Sequence, residues 1–532
     1  MKKSTNYVLA LVLFANLISL GAFAQANPVP YAYTIKAEDL KKHLTFIASD
    51  SLKGRNTGSA EQKVAANYIA DHFKKSGLAP VNGSYFQKVD LVNRSWTKVA
   101  LTIKGKSYDY LGQFMANALA PVAADSKFPI VFAGFGVQQA GFTDFDKLNA
   151  KGKYVLAFEG EAKDAAGNYV LSGTKDPSAF GKGDGWKEKL KRAQGAGAKG
   201  LILISDKAEK DFGNQLRQRQ VMMQRFGNER MVFADVAASP NEAPVLLISS
   251  AMAAEILGTS EADLLAYKAS VAAAKKSMPS KFKASSVSLT IERTEKPVDT
   301  YNVVGYLEGT DKKDEVVILT AHYDHIGISF DGKINNGAND DGSGTVTVME
   351  LAEAFGKAAA EGKRPRRSIL FMTVTGEEKG LLGSEWYSNH PLFPLANTVC
   401  DINTDMTGRY DDEHMGKPDY IYEIGSDKLS STLREILVEQ NKKHVGLELD
   451  FRFNDPNDPN RFYYRSDHYN FAKHGIPVAF FFNGVHDDYH MPGDDVEKIE
   501  FDQVQKVGRL VFYMAWEISN REERLKVDSN KP

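Results

Sequence analysis

Apolar residues recur along this chain with two different periods, and the changes of period divide it into regions. Leu40, Leu44 and Ile47 in AEDLKKHLTFIASDSLKGR stand at helical spacing. A second helix, over about Glu61 to Ser76, carries Val64, Ala65, Ile69 and Phe73 on one face, with Gly77 as its stop. Short alternating strands follow, as in KVALTIKG. From about Phe128 to Ser250, four runs (FPIVFAGFGV, GKYVLAFEG, AKGLILISD and APVLLISS) read as strands separated by turn residues, with a helix in GWKEKLKRAQGAGA. AMAAEILG and EADLLAYKASVAAAKK read as helices, and KKSMPSKFKASS as a return linker. From about Val287 strand, glycine-bearing loop and helix alternate through VVILTAHYD, GTVTVMELAEAFGKAAA, SILFMTV, TVCDINTDM, LSSTLREILVEQNKKH and IPVAFFFNG. A helix from about Phe501 closes the chain.

This alternation predicts an α/β fold with a mostly parallel or mixed central sheet and helices on both faces. The middle texture predicts a smaller, β-rich α/β domain inserted into it. The expected boundaries are a leader at 1–24, the first part of the main domain at 25–112, the insert at 113–285 and the rest of the main domain at 286–525.

Composition narrows the setting. Lys2 and Lys3 precede YVLALVLFANLISLGAFA, which ends in Ala22-Phe23-Ala24. A charged start, an apolar run and a small-x-small site read as a secretory signal peptide, so the chain is expected to be exported, periplasmic or extracellular, with no membrane span after cleavage. The 532 residues allow more than one domain, and a formal net charge of −2 gives no sign of a nucleic-acid partner. Cys400 is the only cysteine, so no internal disulfide forms, and its setting is that of a buried strand residue. Oligomeric state is left open.

In such sheets functional groups collect at the carboxyl ends of the strands. Five successive strand ends or following loops here carry histidine or carboxylate: His322-Tyr323-Asp324-His325, Asp340-Asp341, Glu377-Glu378, Asp405, and His486-Asp487-Asp488-Tyr489-His490. Any one of them alone reads as a solvated loop charge; together they read as a site. Imidazole and carboxylate without thiolate suit zinc. More carboxylates than one metal uses suggest two metals bridged by one of them, with a metal-acidified water as nucleophile. A carboxylate beside the metals can then carry the water's proton to a leaving amine, and Glu377-Glu378 offers two adjacent acids for two tasks.

HYDHIG, GANDDGSGT, TGEEKGLLGS, NTDM and YHMPGDD, in this order, resemble the motifs of the M28 zinc aminopeptidases. So do LKGRNTGSAEQKVAANYIADHFKKSGLAP and SDHYNFAKHGIPVAFF, and the middle segment resembles an inserted protease-associated (PA) domain. The resemblance covers most of the chain and implies a zinc-dependent exopeptidase (phosphorylase/hydrolase-like) fold and a di-zinc exopeptidase acting on peptides with a free N-terminus. It implies that His322 and Asp405 bind one zinc, Glu378 and His490 the other, and that Asp340 bridges them. Glu377 would be the general acid/base acting on the bridging hydroxide. Asp324 would accept a hydrogen bond from the His322 ring, Asp467 would support the site, and Tyr489 would stabilise the oxyanion. The Asp340-Asp341 bond is expected to be cis.

Other residues receive plainer readings: His325 as a hydrogen-bonded loop residue beside the ligands, His468 as structural, His486 as no ligand, and NDPNDPN as a surface loop. A carboxypeptidase would hold its substrate's carboxylate with Arg461 and Arg465. A glutaminyl-cyclase-like acyltransferase would use one zinc, and a binding module would have a dead site. The sequence contains neither the GxSxG of serine hydrolases nor HExxH.

Overall fold

Eight strands form the sheet that positions the strand-end residues: β1 (Phe86–Lys88), β2 (Tyr301–Leu307), β3 (Lys312–His322), β4 (Arg367–Val374), β5 (Thr398–Thr404), β6 (Tyr420–Ile424), β7 (Glu448–Asp450) and β8 (Val478–Phe482). The computed structural model describes residues 26–139, 141–226, 229–235, 243–417 and 419–530; the expected leader at 1–24 lies outside them. The spatial order is β1-β2-β4-β3-β5-β8-β6-β7. The central four strands, β4, β3, β5 and β8, run parallel, while β2 joins β4 and β6 joins β8 antiparallel. The sheet is therefore mixed around a parallel centre. β6, in DYIYEIGSD, was not among the strands legible from the pattern.

Strands β4 and β5 are buried along their whole length; in β4 this shows as the apolar run Ile369–Met372, whereas β5 also buries Asp401 and Asn403, whose side-chain oxygens lie 2.8 and 2.9 Å from the Thr320 hydroxyl. Successive residues still serve opposite faces. Val317, Leu319, Ile369 and Phe371 pack into one core with helices α1 (Ala37–Ile47), α2 (Ala60–Lys75), α3 (Gly344–Ala360) and α5 (Phe501–Asn520). Ile318, Leu370 and Met372 pack with Tyr387 of α4 (Leu382–Asn389), Phe471 and Ile476 on the other face. Helices thus cover both faces, as the alternation requires. Ser59 caps α2, its hydroxyl accepting the Gln62 N–H at 3.0 Å.

The chain forms two compact units, one of residues 1–89 and 299–532 and one of residues 90–298. The second contains a five-stranded sheet ordered Met115–Ala118, Val245–Ile248, Gly200–Ile204, Tyr154–Phe158, Ile130–Phe132, parallel except at its first pair. It also contains an antiparallel sheet in which Leu91–Ile103 pairs with Val287–Val298 from end to end. That ladder carries the unit beyond the 113–285 expected from texture. Alternation marked KVALTIKG as a strand but could not reveal a partner nearly two hundred residues away.

One buried acid has no part in the strand-end cluster. Glu350 on α3 faces His43 of α1, with Oε1 3.5 Å from the ring's Nε2, and His43 Nδ1 meets the Tyr68 hydroxyl at 2.7 Å. Burial, then the charges of Glu353 and Asp39, push the Glu350 carboxyl from 4.5 up to about 8. The folded chain therefore keeps a proton that the unfolded chain releases. This contribution to stability is full below pH 4.5 and is lost as pH rises towards 8. Glu350→Gln, neutral throughout, is expected to gain melting temperature relative to wild type between pH 5 and pH 9 in calorimetry. A difference that does not change with pH would refute this reading.

Candidate functional site

The carboxyl ends of β3, β4 and β5, and the loops after β3 and β8, converge on one cluster. β3 delivers His322, β5 is followed directly by Asp405, and the loop after β8 carries His490. After β4 the chain turns at Gly376 (φ +69°), a conformation side chains disfavour, and presents Glu377 and Glu378. Asp340 and Asp341 lie just before α3 and are joined by a cis peptide bond. Gly344 lets the start of α3 close on β5: a Cβ there would lie 2.1 Å from the Thr404 carbonyl oxygen and 2.5 Å from the Asp341 carboxylate.

Asp340 occupies the centre. His322 Nε2 lies 3.3 Å from Asp340 Oδ1, 3.6 Å from Asp405 Oδ1 and 3.8 Å from Glu377 Oε2. On the other side His490 Nε2 lies 3.0 Å from both Asp340 Oδ2 and Glu378 Oε2. His325 joins this second group, its Nδ1 2.8 Å from Glu378 Oε1 and 3.8 Å from Asp340 Oδ2. Candidate ligand atoms of His322, Asp341 and Asp405 lie within 4.8 Å of one another, and so do those of His325, Asp340 and Glu378.

Within the acid pair the two aspartates differ. Asp341 spends its oxygens on main-chain donors, accepting N–H from His322 (3.2 Å), Gly344 (2.8 Å) and Met406 (3.3 Å), and so ties together β3, α3 and the end of β5. By contrast, His322 Nε2, Asp340 Oδ2, Asp405 Oδ1, Glu378 Oε1 and both ring nitrogens of His325 are buried facing one another, with no hydrogen-bond partner outside the cluster among the described residues. Buried polar atoms rarely stay unpaired, and so many in one place, all nitrogen and oxygen, fit divalent cations of the zinc type.

The His322 tautomer is set by a main-chain group. Its Nδ1 lies 3.0 Å from the Asp324 carbonyl oxygen, which can only accept, so Nδ1 carries the proton and Nε2 faces the centre with its lone pair. The Asp324 carboxylate, expected to take this bond, stands 3.9 Å from Nδ1 and instead accepts from the Thr57 hydroxyl (2.6 Å) and the Glu377 N–H (3.2 Å). The strand-end turn brings the carbonyl back to the ring and sends the side chain towards the β4 turn.

Charge is distributed unevenly. Burial, together with the charges of Glu378, Asp467 and Asp405, holds the Glu377 carboxyl well above its usual range. For Asp340 burial acts in the same direction, yet His322 and His490 outweigh it and hold that carboxyl low. Asp467, its Oδ1 accepting from Ser384 at 2.5 Å, is raised by burial to about 7. Asp405 Oδ2 accepts the Ser466 hydroxyl at 2.8 Å, leaving Oδ1 for the centre. Tyr489 stacks on His490 with ring centroids 4.0 Å apart and accepts from Arg465 Nη2 at 3.3 Å; burial and the neighbouring acids keep its phenol protonated. His490 and Met406 hold φ of +56°, a conformation retained where the surroundings over-determine it.

The other residues singled out from the sequence make contacts of their own. His486 lies 3.1 Å from the Asn339 amide, and His468 stacks on Phe480 at 4.5 Å. Arg461 and Arg465 lie over the rings of Tyr464 and Phe462, residues 455–457 are exposed, and Cys400 is buried in β5. The sequence suggests a loop histidine at His325, whose one signal is its place three residues after His322. Nothing in the sequence pattern marks Arg55. Fully buried, it donates to the carbonyls of Tyr323, Ile47, Asn336 and Gly337 and so holds the loops after β3.

Comparison with known proteins bears on this geometry. Residues 302–515 match the family described as Peptidase family M28. The chain is 24% identical to aminopeptidase YwaD of Bacillus subtilis, over 99% of this chain and 96% of that protein. It is 26% identical to a Leptosphaeria maculans protein described as a probable zinc metalloprotease, over 42% of this chain and 58% of that one. Among solved structures, an aminopeptidase from Aneurinibacillus sp. strain AM-1 aligns with a TM-score of 0.51 at 18% identity, over 94% of this chain and 98% of that one, which is a likeness of fold.

Proposed function

We propose that this chain, whose residues 302–515 match peptidase family M28, is an exported metalloaminopeptidase that uses two zinc ions to release the N-terminal residue of peptides. His322 and Asp405 would hold one ion and Glu378 and His490 the other, with Asp340 between them. The observation that carries this reading is the position of Asp340, one oxygen towards His322 and the other towards His490. His325 lies beside the second group.

When bound, the ions supply an acidified water and a Lewis-acid pull on the scissile carbonyl. The chain's own groups do the rest. Glu377 takes the proton of the attacking water on its carboxylate and hands it to the departing amine nitrogen. Asp324, holding the Glu377 N–H, fixes where that carboxylate starts, and Asp467 adds negative charge beside it. The protonated Tyr489 phenol donates to the oxyanion as it develops. Acids in excess of the ligand set favour an ammonium group, which is what a free N-terminus brings. We read residues 90–298 as a PA-like insert and residues 1–24 as the export signal.

A second reading has one observation behind it. Arg465 beside Tyr489 places a cation at the cluster, which would suit a substrate's C-terminal carboxylate. Peptides with free and acetylated N-termini, assayed with the zinc-loaded chain, separate the two. The free peptides are expected to lose their first residue and the acetylated ones to remain intact. Release of the last residue from acetylated peptides would overturn the aminopeptidase reading.

A further inference from the structure

His490 is the most loosely seated member of the cluster, its side chain 37% exposed where those of Asp340 and Glu378 are nearly fully buried. Packing alone does not hold it in place. Four residues later the same loop enters the interior at Asp494, which has no exposed surface. The Asp494 main-chain carbonyl accepts the Ala338 N–H at 3.0 Å. Its carboxylate accepts the Asn339 N–H at 3.0 Å on Oδ1 and 3.1 Å on Oδ2, and the Asp340 N–H at 3.0 Å on Oδ2. The loop bearing His490 is thus bonded to the main chain of Asp340 itself. From the other side Arg55 grips the Asn336 and Gly337 carbonyls, so the loop has its acceptors held by a cation and its donors by an anion.

Charge-assisted bonds of this kind are stronger than neutral ones, and burial removes the competing water. A pair of ligands on two separate loops keeps its spacing only if the loops are held together, since each loop otherwise regains its conformational entropy. We propose that Asp494 is a positioning residue that fixes His490 against Asp340 and thereby sets the affinity of the second zinc site. This rests on the two-zinc reading above.

Zinc titration of the metal-free chain by calorimetry tests it. Asp494→Asn has the same shape but turns one acceptor into a donor facing an N–H. The second zinc is expected to bind about 10- to 100-fold more weakly, the range seen when a group supporting a ligand is lost, while the first stays within about threefold. Asp495→Asn, which alters only the bond from the Asn336 side chain, is expected to leave both affinities unchanged. Should Asp494→Asn not accumulate as soluble protein, Asp494→Glu, which keeps the charge but moves the carboxylate by one methylene, is expected to give the same selective loss. Two wild-type affinities in the variant, or an equal loss at both sites together with a lowered melting temperature, would overturn the proposal. A wild-type chain that binds a single zinc would instead sink the two-zinc reading, so the two failures are distinguishable.

Discussion

Glu377→Gln is expected to lower kcat by about 10²- to 10⁴-fold, the span usual for a general acid/base, while zinc content per chain stays at the wild-type value. The substitution keeps the size of the side chain and removes its ability to take a proton. The main-chain bond that positions residue 377, from its N–H to the Asp324 carboxylate, involves no side-chain atom of that residue and survives. Glu377 is not one of the proposed ligands, which is why metal binding is expected to persist. Steady-state kinetics on a free-amine peptide together with elemental analysis of the same sample make the test. A variant with near wild-type kcat would remove Glu377 from the proton path. One that had lost zinc would make it a ligand instead.

Asp340→Ala reaches further, because among the described residues this carboxylate is the only one that approaches both His322 and His490. Without it zinc content is expected to fall below one ion per chain, and turnover to fall with it. Metal polarisation is worth several kcal/mol of transition-state stabilisation. That corresponds to about 10³-fold or more in rate, at tenfold per 1.4 kcal/mol. Added zinc is not expected to restore activity, because the missing element is the shared ligand. Mass-spectrometric metal analysis and activity over a zinc titration check this. Retention of two tightly bound ions would show that Asp340 does not join the sites, and would shift attention to Asp341, whose atoms lie near His322 and Asp405.

Much of the fold is legible in the amino-acid sequence. The run from Ser368 to Val374 could be read as a buried strand because residues covered on both faces must be apolar at consecutive positions, and β4 ends at Val374. The helix expected over about Glu61 to Ser76 lies at Ala60–Lys75, since its apolar stripe and Ser59 cap are both local signals. The extent of the second unit was not legible. It depends on Leu91–Ile103 pairing with Val287–Val298, and strand partners leave no mark on either strand alone. β6 is not legible in the pattern because its run, YIYEI, is short and carries a glutamate, and Glu423 is buried against Arg434 and Ser426.

At the site, the amino-acid order is enough to say which kinds of group are present, in what succession and at which strand ends. Periodicity and ligand chemistry are properties of short stretches, and HYDHIG, TGEEKGLLGS and YHMPGDD each carry theirs intact. Which atoms face one another is a product of the folded packing. It gave the His322 ring to the Asp324 carbonyl rather than its carboxylate, brought His325 against Glu378, turned Asp341 inward to main-chain donors, and tied the His490 loop to Asp340 through Asp494. Each of these is a matter of a few ångströms between segments packed together from distant parts of the chain. Such distances follow from the packing of the whole sheet and its helices, and no local pattern encodes them.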